Sequence, residues 1–97
     1  APALVVSPRA YNEVSSLALL CPVTSKPKGY PFEVPLPVGL PVTGVILADQ
    51  VRALDWRARG ALHVGTAPIE VVDDVLARLA PLVSDAIALA ALAVAMA

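Results

Sequence analysis

The sequence predicts a mainly β protein: a small β-barrel of about five short strands with one C-terminal amphipathic helix. Three observations predict it. Apolar, partly β-branched runs recur between turns marked by proline and glycine through the first two thirds of the chain. After Thr66 the apolar period lengthens to three- and four-residue steps. The 97 residues suit one domain, with neither linker nor internal repeat.

In chain order, Ala3 to Ser7 is a buried strand stopped by Pro8, and Pro8 to Ser16, with Asn12, Glu13 and two serines, is a loop. Leu17 to Val23 is a second buried strand. Thr24 to Pro31 is a polar, basic loop punctuated by Pro27, Gly29 and Pro31. Phe32 to Leu36 alternates apolar and polar residues, and Pro35, which cannot donate to a ladder, places it at an edge. After a Pro/Gly turn, Gly44 to Ala48 is a third strand leading into Asp49-Gln50, and Val51 to Leu54 continues it. Asp55 caps a helical turn closed by Gly60, and Ala61 to Val64 is a brief strand. Thr66 and Pro68 start a helix whose stripe is Ile69, Val72, Leu76, Leu79 and Val83, with acids in its early turns. Pro81 kinks or ends it, and Ser84-Asp85 caps a further apolar segment, so residues 1–83 form the domain and 84–97 an Ala-rich helical tail.

Hydrophobic residues make up 58% of the chain against 15% charged, an excess that fits burial in a subunit interface, a homodimer being the simplest. The net charge of −1 leaves room only for local contact with a polyanion. Lys26 and Lys28 cluster on one loop and Arg52, Arg57 and Arg59 in one turn region, while most acids lie in the last third. A single cysteine, Cys21, in an apolar run reads as a small core residue and suits a reducing compartment, the cytoplasm by default. Neither a signal peptide nor a membrane span is expected, the apolar end being shorter than the roughly 20 residues a bilayer requires.

Familiar catalytic templates do not fit. His63 cannot make a histidine pair and reads as structural or solvent-facing; no zinc spacing and no Gly-rich phosphate loop occur, and no cofactor is expected. Glu70 and Asp74, four apart, read as an exposed helix start rather than a catalytic pair. Trp56 reads as core, with stacking against an arginine or a base as the sharper alternative. Thr24 stands out at the mouth of a strand, where a hydroxyl can donate to a phosphoryl oxygen while Lys26 and Lys28 neutralise neighbouring phosphates. Surface loops carry such residues for ordinary reasons too, and Tyr30 suits either base stacking or packing.

Two stretches carry a resemblance: Cys21-Pro-Val-Thr-Ser-Lys-Pro-Lys-Gly-Tyr-Pro-Phe-Glu-Val34, and Ala48-Asp-Gln-Val-Arg-Ala-Leu-Asp-Trp-Arg-Ala-Arg59. Together they resemble the MazF/PemK family of toxin endoribonucleases, from about Ala1 to Val83. The resemblance implies an SH3-like barrel of the PemK/CcdB type. It further implies a toxin of a type II toxin–antitoxin system: a homodimeric, ribosome-independent, metal-independent endoribonuclease that cuts single-stranded RNA at a short sequence. The products would be a 2′,3′-cyclic phosphate and a 5′-hydroxyl, translation would stop, and a MazE-like antitoxin would block the groove. It assigns Thr24 to catalysis, assisting an arginine in phosphate activation, and Ser25, Lys26, Lys28 and Gln50 to the RNA. The sequence departs from the family at its start. A further strand, a loop and an arginine normally precede Pro-Ala-Leu-Val, and the arginine position falls on Ala1. The chain as it stands is expected to be N-terminally incomplete and catalytically poor. Two other readings remain beside the nuclease: a CcdB-like toxin that binds gyrase without cutting nucleic acid, and an inactive barrel that only dimerises or binds antitoxin.

Overall fold

The strand from Leu17 to Thr24 is the one around which the others assemble. The computed structural model describes residues 1–84; the tail expected over 84–97 lies, but for Ser84, outside the described residues. In chain order the elements are β1 (Ala3–Val5), α1 (Arg9–Ser15), β2 (Leu17–Thr24), β3 (Glu33–Pro35), β4 (Val45–Leu47), a 3-10 turn (Ala48–Gln50), β5 (Arg52–Asp55) and α2 (Ile69–Ser84). All strand pairs are antiparallel. β1 lies beside β2 with Leu4 opposite Cys21, and β3 lies beside β4 with Val34 opposite Ile46. β2 pairs with β5 through Leu17 to Leu20 and with β4 through Val23 and Thr24.

The mainly β class with a C-terminal helix is as the sequence predicts. The described strands form an open sheet in the order β1-β2-β4-β3, with β5 also on β2, rather than a closed barrel. Among them no ladder joins β1 or β5 to β3, so closure would need hydrogen bonds these strands do not make.

Four local expectations are corrected. The segment expected as a loop after Pro8 contains α1, which buries no residue. Hydrogen bonds hold it instead: the Ser7 hydroxyl donates to Asn12, the Trp56 indole donates to the Asn12 carbonyl at 3.0 Å, and the Arg57 guanidinium donates to the Glu13 carbonyl at 3.0 Å. Gly44 to Ala48 and Val51 to Leu54 are not one continued strand, because the 3-10 turn intervenes. Along β2 the pairing advances three residues, from Val23 to Leu20, while the partner advances six, from Ile46 to Arg52. The three surplus residues are Ala48–Gln50. Ala61 to Val64 is exposed and forms no strand; the Ala61 N–H donates to the Trp56 carbonyl at 2.9 Å instead. Finally, α2 buries Val71, Val75 and Leu79, while Ile69, Leu76 and Val83 of the expected stripe are exposed. The helix also continues past Pro81 to Ser84.

The core is small, as a chain of this size dictates. Cys21, Val34, Ile46, Ala48, Val71 and Val75 form one buried cluster, flanked by Leu4, Val6, Val23, Leu36 and Val51. α2 covers β3 and the 3-10 turn. Its Arg78 pairs with Asp74 at 2.9 Å and donates to the Pro31 carbonyl, tying the helix to the approach of β3.

Gly44, just before β4, is required twice over. Its φ of +123° lies where side chains are rarely tolerated, and a Cβ there would stand 2.1 Å from the Thr24 carbonyl oxygen. Asp55 caps its turn as expected: its carboxylate accepts the Ala58 N–H and the Ser16 hydroxyl, both at 3.0 Å, and Gly60 closes the turn at φ +62°. The Ala58 N–H first, then the Ser16 hydroxyl, hold the Asp55 carboxyl below its ordinary pKa.

Two predictions follow from these contacts. Gly44→Ala will lower the unfolding free energy by about 2–4 kcal/mol. Gly29→Ala, at φ +80° but with open space around it, will cost only about 1 kcal/mol. Equal losses in urea denaturation would rule out the close approach at Thr24. For Asp55 the folded pKa lies below the unfolded value of about 3.9, so its contribution is present above about pH 4 and disappears as pH falls through the folded pKa. Asp55→Asn will therefore flatten the acid limb of the stability-against-pH curve, measured by thermal unfolding between about pH 2 and 5.

Candidate functional site

A cleft of about 250 Å³ opens between the end of β2, the loop that follows it and the 3-10 turn, lined by Thr24, Lys26, Lys28, Tyr30, Glu33, Leu47 and Gln50. Each arrives for a local reason. Thr24 is the last residue of β2, opposite Val45 at the head of β4. Leu47 ends β4, and the 3-10 turn then carries Gln50 to the cleft while burying Ala48 completely. The Ala48 N–H donates to the Phe32 carbonyl at 3.0 Å and its carbonyl accepts the Cys21 thiol at 3.9 Å, so the turn is fixed from inside.

Four of the five residues singled out in the sequence therefore meet in one cleft: Thr24, Lys26, Lys28 and Gln50. Ser25 is exposed and outside its lining. The Thr24 oxygen accepts the Lys26 N–H at 3.2 Å, which shapes the loop start and leaves the hydroxyl proton available to a ligand. Lys26 and Lys28 are exposed, and the Lys28 ammonium sits 5.9 Å from the centre of the Tyr30 ring. Glu33, passed over in the sequence because an acid in a strand suggests only an outward face, also lines the cleft and accepts backbone N–H groups of Lys28 and Gly29. Gly44, too, shapes the site, since its missing side chain lets the backbone at Thr24 come close.

The arginines go elsewhere. Arg57 stacks on Trp56 at 4.7 Å, and the ring is half-buried, so the arginine contact given as the alternative to a core role is the one that forms. Arg52 and Arg59 line a separate, larger groove of about 820 Å³ whose walls include Leu4, Val23, Ile46, Trp56 and His63. His63 is exposed. Glu70 is exposed at the start of α2, and Asp74 pairs with Arg78 rather than with Glu70. Among the described residues no three of His, Cys, Asp and Glu gather as a metal site, and no helix is long and apolar enough to cross a membrane.

An antiparallel sheet capped by a C-terminal helix, with a hydroxyl, two ammonium groups and an amide in one open cleft, defines a small module suited to gripping a phosphate backbone. Comparison with known proteins makes this specific. Residues 1–83 match the family model for the PemK-like, MazF-like toxin of type II toxin–antitoxin systems, and the chain belongs to that family. It is 46% identical over 78 residues to the endoribonuclease toxin MazF of Escherichia coli K12, a match spanning 80% of this chain and 69% of that protein. It is 37% identical over 87 residues to the endoribonuclease PemK of Escherichia coli, spanning 86% and 65%. Among solved structures, a MazE–MazF crystal structure from Deinococcus radiodurans superposes with a TM-score of 0.81 at 56% identity, covering 84% of this chain and 82% of that one.

Cys21, fully buried, takes no part in the cleft. Burial, then the nearby Asp49 charge, pushes its thiol pKa up, away from the thiolate form that reacts. In native protein at pH 8, modification by a thiol reagent such as DTNB will be at least ~100-fold slower than in urea. A native rate within a few-fold of the urea rate would show the core open at this point.

Proposed function

We propose that this chain is the toxin of a type II toxin–antitoxin pair, a sequence-specific endoribonuclease that cuts single-stranded RNA without a metal ion and thereby stops translation. The observation that supports it, beyond family membership, is the convergence of Thr24, Lys26, Lys28 and Gln50 from two separated segments on one cleft.

In this reaction the substrate's own 2′-oxygen attacks the adjacent phosphorus. A new 2′-O–P bond forms, the P–O5′ bond breaks, the 2′-hydroxyl gives up its proton and the departing 5′-oxygen gains one. The products are a 2′,3′-cyclic phosphate and a 5′-hydroxyl. Thr24 acts on the charge that builds on the phosphoryl oxygens: its hydroxyl proton, not used within the loop, donates to one of them. Lys26 and Lys28 neutralise flanking phosphates as mobile point charges. Gln50, held by a turn whose first residue is buried, presents an amide that can both donate to and accept from the RNA. Ser25, outside the cleft, reaches RNA only along the loop's outer surface.

A MazE-like antitoxin carrying an acidic, disordered segment would compete for the same lysines, so RNA and antitoxin exclude one another. The active form is a homodimer, and the compartment is the cytoplasm.

The test is cleavage of a short single-stranded RNA in EDTA by the full-length protein, with product ends identified by mass. Thr24→Ala will lower kcat/KM by about 10- to 100-fold while leaving the fold intact by circular dichroism. Replacing Lys26 and Lys28 together with alanine will reduce the slope of log affinity against log salt by about 0.7 per lost phosphate contact. Inhibition of gyrase with no RNA cleavage would overturn the proposal.

A further inference from the structure

On charge alone, a carboxylate does not belong in the wall of a cleft meant for a polyanion. Glu33 is there, and its geometry explains why. One oxygen accepts the Lys28 N–H at 3.0 Å; the other accepts the Gly29 N–H at 3.0 Å and the Lys28 N–H at 3.2 Å. Gly29 has a φ of +80°, in the left-handed region. A backbone turning through that region directs successive N–H groups to one side and makes an anion-binding hollow. Glu33 fills this hollow from within the chain.

The same residue is anchored to the sheet. Glu33 pairs with Leu47 as the first residue of β3, and its N–H donates to the Tyr30 carbonyl at 3.1 Å. Its side chain and backbone thus fix both ends of the 28–30 segment, which supplies Lys28 and Tyr30 to the cleft. Both residues are exposed, so little packing holds them in place.

Resting on the nuclease reading above, we propose that Glu33 is a positioning residue for RNA binding. Its carboxylate occupies the Lys28–Gly29 hollow, holds the loop so that Lys28 and Tyr30 face the groove, and has its charge partly satisfied by backbone N–H groups. It works through the loop and touches no reacting atom. Glutamine keeps one oxygen able to accept both N–H groups, whereas alanine leaves the hollow empty.

The experiment is steady-state cleavage of a short single-stranded RNA in EDTA by wild type, Glu33→Ala, Glu33→Gln and Gly29→Ala, with amide hydrogen exchange at Lys28 and Gly29 measured alongside. Glu33→Ala will raise KM about 10-fold with kcat within about 2-fold, and Glu33→Gln will return KM to within about 3-fold of wild type. Exchange at the two amides will speed up about 10-fold or more in Glu33→Ala but not in Glu33→Gln. Should Glu33→Ala fail to fold, Gly29→Ala disturbs the hollow from its donor side and will raise KM by a similar factor. Wild-type KM in Glu33→Ala overturns the proposal, as does a Glu33→Gln variant no better than alanine, or a loss confined to kcat; where Glu33→Ala does not fold, wild-type KM in Gly29→Ala overturns it. Failure of the full-length wild type itself to cut RNA is a different result and removes the nuclease reading.

Discussion

β2 must satisfy two partner strands that come from one continuous stretch of chain, and three surplus residues make this possible. β4 pairs with its C-terminal end and β5 with its N-terminal half, and the offset between the two ladders is absorbed by Ala48–Gln50. Such an insertion destabilises unless its backbone groups find partners. Here the Ala48 N–H and carbonyl are both engaged, its side chain is in the core, and α2 packs over it. The turn is therefore rigid on its inner side, while Asp49 and Gln50 are exposed. Without the surplus, Gln50 would sit in a ladder and its distance from the end of β2 would change.

The cleft also shows how a chain of net charge −1 can address a polyanion. Lys26 and Lys28 project on a loop whose one nearby carboxylate is engaged by backbone N–H groups, while Asp74 is paired with Arg78 and Asp55 is occupied by Ala58 and Ser16. Local potential depends on which charges are already engaged, so the whole-chain balance is a poor guide to it.

The places of most strands along the chain, the terminal helix and the threonine–lysine loop were legible because each rests on a local signal. β-branched runs, a change of apolar period and two separated motifs are all properties of neighbouring residues. What was not legible depends on distant partners. α1 is polar and buries nothing, so its pattern resembles a loop; Trp56 and Arg57, more than forty residues away, hold it. The α2 stripe holds at Leu79 but not in the earlier turns, because the helix is apolar on two faces and only the sheet decides that Val71 and Val75 point inward while Ile69 and Leu76 do not. In the site, Thr24 and Gln50 could be named from sequence. Glu33 and Gly44 could not, since the first acts through a loop hydrogen bond and the second through the space left by an absent side chain. The three arginines, close in sequence, lie away from the cleft, as a charge cluster read without its partners does not reveal.

The alternation of β2 and β4 has one more consequence. Val23 and Ile46, a register pair, line the large apolar groove; the next residue along each strand, Thr24 and Leu47, lines the polar cleft. Successive side chains of a strand point to opposite faces, so the two hollows share β2 and β4 as part of their walls. A change of packing at Val23 or Ile46 therefore acts on the same two strands that carry the hydroxyl and lead into the amide-bearing turn.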